Sequence, residues 1–223
     1  MEKICFTTVC DKNYINHAAG LIYNLNKLHK NLKILVCCLD DDSYQIFNNI
    51  DSKFNIKTIA AKEIWGDEKW NNLELRLNKK EIAFATTSAI PFWALNNFTE
   101  KIVYLDSDIY LLKNLDDFIL ELEKYALILV PNGRPLNDIK RTPKTGLFCT
   151  GTIGFSQKGK KYADHWRKLC FDQCRELLED NLYFDQKYLD IFACQPEVLI
   201  YPDPGIQVIG NHMNYHQPYK DSK

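Results

Sequence analysis

The sequence has no apolar run approaching the roughly eighteen residues that a membrane span requires. Its opening, MEKICFTTVC, carries none of the long hydrophobic stretch of a secretion signal. The eight cysteines form no paired CxxC clusters of the kind that hold structural zinc. Several, such as Cys37 and Cys38 in KILVCCL, sit inside apolar strand-like runs and read as small core residues. A soluble protein of a reducing cytoplasm is the expectation. Charge of one sign is also missing: 28 basic residues against 29 acidic ones leave a formal charge of -1. Neither a nucleic-acid stripe nor an acidic-membrane anchor is indicated by net charge, although a local patch and a peripheral membrane contact stay open. There is no internal repeat and no low-complexity linker. What is present is 223 residues, 46% of them hydrophobic, enough for one sizeable core.

The apolar segments alternate in kind. KICFTTVC (3–10) reads as a first strand, and YINHAAGLIYNLNKLH places Ile15, Ala18, Ala19, Ile22, Leu25 and Leu28 at helical spacing. KILVCCL and NIKTIA read as further strands around a helix at DDDSYQIFNNI. A polar stretch, WGDEKWNN, precedes a helix over 79–97 kinked at Pro91, and KIVYLD is the next strand. The second half is more mixed: ALILVPN, GTIGFS and VLIYPD as strands, 160–180 as a long amphipathic helix, and 131–147 as the most flexible loop. This is an α/β domain with a mostly parallel sheet covered by helices on both faces, and such sheets bind ligands beyond the carboxyl ends of their strands.

One apolar run is interrupted. In KIVYLDSDIYLL (101–112), Asp106 and Asp108 break a sequence whose two flanks both read as buried strand. Residues i and i+2 of an extended segment face the same way, so the two carboxylates converge. At about 5.5 Å and an effective dielectric near 20 they repel by about 3 kcal/mol, which calls for a positive partner. Carboxylate oxygens suit Mg²⁺ or Mn²⁺, whose shell is commonly completed by water and substrate phosphates. The plainer reading is that both aspartates cap a turn; the strand before them and the preceding βα units favour a metal held together with a diphosphate.

Four stretches, in order along nearly the whole chain, carry a resemblance: FTTVCDKNYINHAAGLIYNL, IVYLDSDIYLL, CTGTIGFSQKGKKYADHW and NLYFDQKYLD. Together they resemble the GT-A-type nucleotide-sugar glycosyltransferases, and within them the glycogenin-like and lipopolysaccharide galactosyltransferase-like families. The resemblance implies a GT-A domain over 1–223, with a nucleotide-binding half (1–112) and an acceptor and sugar half (113–223). It leaves open that the domain belongs to something longer. It implies a donor, most simply a UDP-sugar, and a glycan or lipid-linked saccharide acceptor. Base and ribose contacts would fall to Thr7, Thr8, Asp11 and Tyr14, the metal to Asp106 and Asp108, and donor contacts to Ser107, Thr87 and Gly151. Asp185 and Gln186 would lie beside the transferred sugar, and Asp185 also reads as a helix N-cap. His212, with His216 in reserve, would complete the metal shell.

Two departures stand out: Cys149 occupies the first position of the family's Asn-x-Gly, and Ile90 the lysine position of a Lys-Pro pair. They keep open a nucleotide-sugar-binding module without turnover. A phosphatase of the haloacid dehalogenase type is disfavoured, because Tyr110 replaces its Thr or Val, the motif comes late, and no later Gly-Asp-Gly cluster follows. A sugar nucleotidyltransferase needs a Gly-rich basic loop, which TTVCDKNY is not.

Overall fold

The apolar runs near the start of the chain become the middle of a sheet. The computed structural model describes residues 4–133, 139–176 and 183–202; His212 and His216 lie outside them. β1 (Cys5–Cys10) pairs in parallel with β2 (Lys33–Cys38), and β2 with β3 (Ile56–Ala60). On the other side of β1 lies β4 (Lys101–Leu105), also parallel. Beyond it come β6 (Phe148–Ser156), β5 (Leu127–Pro131) and β7 (Val198–Ile200), giving the order β3-β2-β1-β4-β6-β5-β7. Only β6, among the described strands, runs against its neighbours. That reversal sets the beginning of β6 beside the end of β4, where the Asp106 N–H donates to the Gly151 carbonyl at 2.9 Å.

Alternation along the strands divides the interior into two cores. Cys5, Val9, Leu35, Ile102 and Tyr104 face one layer, containing α5 (Lys79–Asn97), α8 (Lys160–Asp172) and the 3-10 segment Lys187–Phe192. Phe6, Cys10, Val36, Val103 and Leu105 face the other, with α1 (Ile15–Leu28), α2 (Asp41–Phe54) and α6 (Asp116–Glu121). Each large apolar side chain fully buried in either layer contributes about 1.5–3 kcal/mol. Seven of the eight cysteines are buried in these layers or at their edges, and Cys194 is exposed. Among the described residues no helix is long and apolar enough to cross a membrane.

α5 begins where expected, on a reciprocal cap: the Glu81 N–H donates to Asn78 Oδ1 and the Asn78 N–H to Glu81 Oε2, both at 3.0 Å. Pro91 lies inside this helix without ending it. Elsewhere the structure departs from the sequence pattern. WGDEKWNN is no simple polar connection, because α3 (Ala61–Trp65) and α4 (Asp67–Arg76) meet at Gly66, whose φ of 75° restarts the helix. The run after Asp108 is not a strand. The chain leaves the sheet after Leu105, the last β4 residue paired with β6, and Tyr110 and Leu112 are 67% and 88% exposed. Leu111 is buried and Ile109 packs partly against the core; the buried Asn24 side chain accepts from the Leu111 N–H at 2.7 Å and donates to its carbonyl at 3.0 Å. α8 ends at Asp172, where Gln173 turns extended, well short of the expected end. The 131–147 connection contains a 3-10 turn (Ile139–Arg141) and α7 (Thr142–Thr145).

Candidate functional site

At the carboxyl end of β4 the pleat turns Tyr104 and Asp106 to the same face. The buried Tyr104 hydroxyl donates to Asp106 Oδ1 at 2.9 Å and lies 3.1 Å from Thr87 Oγ1 on α5. Burial raises the Asp106 carboxyl to about 6 from 3.8; the Tyr104 hydrogen bond opposes that rise and the Asp108 charge adds to it. Burial and the Asp106 charge push the Tyr104 phenol well up, so it stays a donor. Ser107 is buried and Asp108 exposed.

A second carboxylate is held on this side of the sheet from farther along the chain. Asp185 is 1% exposed, and neither side-chain oxygen makes a hydrogen bond. Burial pushes its carboxyl well up, the Asp106 charge adds to that, and the backbone N–H groups of Asp185 and Gln186 lie near enough to offset part of it. The protonated form is favoured until donors reach those oxygens. The backbone here is constrained: Phe184 has φ 46°, an uncommon conformation for a bulky residue. Its ring packs on Phe84 with centroids 4.3 Å apart, and its N–H donates to the Arg175 carbonyl at 3.0 Å. Trp166 Nε1 donates to the Asp185 carbonyl at 2.9 Å.

The expected capping role of Asp185 is not found. The segment it precedes is 3-10, Gln186 occupies the cap position, and no side chain caps it. Gln186 instead donates from Nε2 to the Thr145 carbonyl at 2.6 Å, and the Leu147 N–H donates to Asp190 Oδ1 at 2.8 Å. Between these ties, Gly146 adopts φ 99° where an added Cβ would stand 3.2 Å from Lys187 Cα. The β5–β6 connection and the Asp185 turn are thus interlocked, the side chains of the turn holding the backbone of the connection.

The remaining candidates scatter around this centre. Thr7 and Thr8 are buried with unpartnered hydroxyls, and alternation puts Thr7 on the Tyr104 face and Thr8 on the opposite one. Asp11 Oδ1 accepts from the N–H groups of Asn13 and Tyr14 at 2.9 and 3.2 Å, closing the turn into α1. Tyr14 is 46% exposed beside His17. Gly151 contributes its carbonyl to Asp106, Cys149 is buried within β6, and Thr87 spends its hydroxyl on Tyr104 and the Ala83 carbonyl. Sequence reasoning passed over Tyr104, Asn13, Thr145 and Asp190. Only Tyr104 left a legible signal, its i, i+2 spacing from Asp106.

The donor set fits a hard divalent cation. Asp106 and Asp108 offer oxygens from one turn, and Asp106 keeps Oδ2 free of any hydrogen bond from Tyr104. No group of three or more ligating side chains occurs among the described residues. Two carboxylates alone match ions that complete their shell with phosphate oxygens and water.

A sequence profile described as glycosyl transferase family 8 matches residues 5–168. YfnF, an uncharacterized protein of Bacillus subtilis (strain 168), is 22% identical over 229 residues, covering 95% of this chain and 72% of YfnF. Mouse xyloside xylosyltransferase 1, in its apo form, has a similar fold at TM-score 0.64 and 14% identity, over 96% of this chain and 90% of that one. The galactosyltransferase LgtC, solved with donor and acceptor sugar analogs, is similar at TM-score 0.57 and 16% identity, over 88% of this chain and 72% of LgtC.

Proposed function

The chain belongs to glycosyl transferase family 8 and has the GT-A fold, and from that premise we propose that it transfers a sugar from a UDP-sugar to a glycan or lipid-linked hydroxyl with the help of Mn²⁺ or Mg²⁺. The observation that carries this reading is the placement of three carboxylates. Asp106 and Asp108 stand at the end of β4, and Asp185 is stored nearby without a hydrogen-bond partner. Asp106 and Asp108 would hold the cation, which when bound supplies charge neutralisation at the departing diphosphate.

The other residues orient and bind. Asp11 and Tyr14, at the exit of β1, border the place for base and ribose, with Thr7 and Thr8 in the strand below and Ser107 and Gly151 nearer the diphosphate. Asp185 is the natural receptor for sugar hydroxyls, since its two buried oxygens have no donors and a hydroxyl supplies one. Gln186 fixes the turn through Thr145, so that Asp185 is aimed before the donor arrives. Pre-set geometry of this kind lowers the barrier by sparing reorganisation in the transition state.

The test is a melting-temperature screen of nucleotide-sugars with and without Mn²⁺, followed by assay of nucleoside diphosphate release. A UDP-sugar should raise the melting temperature only when Mn²⁺ is present, since a ligand that binds the native form alone stabilises it. Asp108→Asn should remove that dependence. Equal donor affinity in Asp108→Asn and wild type, or no nucleotide-sugar stabilising the protein with Mn²⁺, defeats the proposal.

A further inference from the structure

We infer that Tyr104 is a positioning residue for the cation-binding carboxylate, acting through its hydroxyl as the middle link of a chain Thr87 → Tyr104 → Asp106; this rests on the metal-dependent reading above. Tyr104 is 2% exposed, and a phenylalanine would fill the same space between α5 and β4. The hydroxyl therefore needs its own account, because a buried O–H is costly unless hydrogen-bonded. Both of its partners lie toward the site: Asp106 Oδ1 at 2.9 Å and Thr87 Oγ1 at 3.1 Å.

Proton counting gives the chain its direction. An ionised carboxylate only accepts, so the Tyr104 proton goes to Asp106. The Tyr104 oxygen then faces Thr87 with its lone pairs, and the Thr87 proton is shared between Tyr104 and the Ala83 carbonyl at 3.2 Å. Thr87 thus points the Tyr104 proton outward, and Tyr104 holds one oxygen of Asp106 in place. The Asp106 N–H, tied to the Gly151 carbonyl at 2.9 Å, fixes the backbone end of the same residue. Oδ2 is left to turn toward the cation with Asp108. Neither Tyr104 nor Thr87 touches the ligand in this arrangement. Hydrogen bonds of this kind orient ligating groups, and removing one typically weakens metal binding about 10- to 100-fold.

The experiment is calorimetric titration of the full chain with Mn²⁺ in the presence of UDP, for wild type, Tyr104→Phe, Thr87→Val and the double variant. Tyr104→Phe should bind Mn²⁺ about 10- to 100-fold more weakly, and Thr87→Val should lose a smaller factor. The double variant should be no weaker than Tyr104→Phe, since Thr87 acts only through the phenol, and this non-additivity is not expected of two independent packing defects. A Tyr104→Phe affinity within about twofold of wild type, or losses that multiply in the double variant, overturns the inference. If Tyr104→Phe does not fold, Thr87→Val decides: unchanged Mn²⁺ affinity overturns the chain, and a loss supports it. Wild type that takes up no Mn²⁺ overturns the functional reading as well, whereas tight binding by both wild type and Tyr104→Phe overturns only this one.

Discussion

The Asp106 charge raises the Asp185 carboxyl, yet the two are prepared in opposite ways. Asp106 ends a strand, holds its Tyr104 hydrogen bond before anything binds, and is pushed up only to about 6. Asp185 sits in a constrained turn, deeper, with both oxygens unpartnered, and is pushed well up by burial. On the proposed function, the first is organised for a ligand that brings positive charge, and the second is kept under-satisfied for a ligand that brings hydrogen-bond donors. The contrast teaches that one site can hold a ready carboxylate and a withheld one, with the cost of the withheld one met by packing elsewhere.

The sharpest way to break that contrast is to neutralise each carboxylate in turn. Asp185→Asn should lower turnover by roughly 100- to 1000-fold while raising the stability of the ligand-free protein at neutral pH, because folding no longer has to hold a carboxyl at a raised value. Asp106→Asn should abolish Mn²⁺-dependent donor binding with a smaller stability gain, since Asp106 already has a partner. Denaturant melts and donor titrations on the two variants measure this, and equal stability gains would erase the distinction.

The next effect is of pH. Both carboxylates have folded-state values raised above the usual 3.8, so at these two positions the native state binds more protons than the unfolded chain, against an opposite contribution from Asp40, Asp164 and Glu197, whose values are lowered. Their own contribution to ligand-free stability should therefore fall as pH rises from about 4 through 6, read as the difference between wild type and the Asp106→Asn and Asp185→Asn variants. On the proposed function Mn²⁺ needs the ionised Asp106, so the stabilisation added by Mn²⁺ with a UDP-sugar should grow over the same window. Melting curves at pH 5 and pH 8 with and without ligand check both slopes, and parallel slopes would count against the assignment.

Gly146→Ala probes the interlock without touching either carboxylate. With φ at 99° and backbone of the 186–187 segment within 3.3 Å of a new Cβ, the change should cost about 1–2 kcal/mol. It should also reduce turnover by about tenfold by displacing the Asp185 turn, with Mn²⁺ affinity unchanged. The smallest effect belongs to Thr152→Val. Thr152 has a buried unpartnered hydroxyl opposite Leu105 and no role in the site. Stability should rise by about 1 kcal/mol or less and turnover stay at wild type; a fall in turnover would show that orphan polarity alone does not separate Asp185 from its surroundings.

The parallel strands were legible in the sequence because they depend on a short-range pattern, brief runs of apolar residues; the Asp106–Asp108 pair was legible by its spacing, although the chain turns at Ser107 and Asp108, with the Ile109 N–H donating to the Asp106 carbonyl at 3.1 Å, instead of staying extended. The strand mistakenly read over 109–112 shows the limit. Its residues are apolar, but pairing with β6 stops at Leu105, and a strand needs a neighbour as well as a composition. WGDEKWNN concealed two helices because its apolar anchors, Trp65 and Leu73, are sparse, and Trp65 finds its hydrogen-bond partner, Thr86, far along the chain. The state of Asp185 was out of reach for a related reason. It is set by Trp166, Phe84, Thr145 and Asp106, which lie between 19 and 101 residues away and meet only in the folded chain.

The burial of the cysteines has a practical consequence. Burial raises the thiol of Cys38 to about 12 and that of Cys37 well above its ordinary range, so neither presents a reactive thiolate near neutral pH. Cys194, exposed just past the Lys187–Phe192 turn, is the handle that a maleimide dye will find first. A fluorophore placed there sits nine residues past Asp185, and labelling it requires no change to the buried thiols.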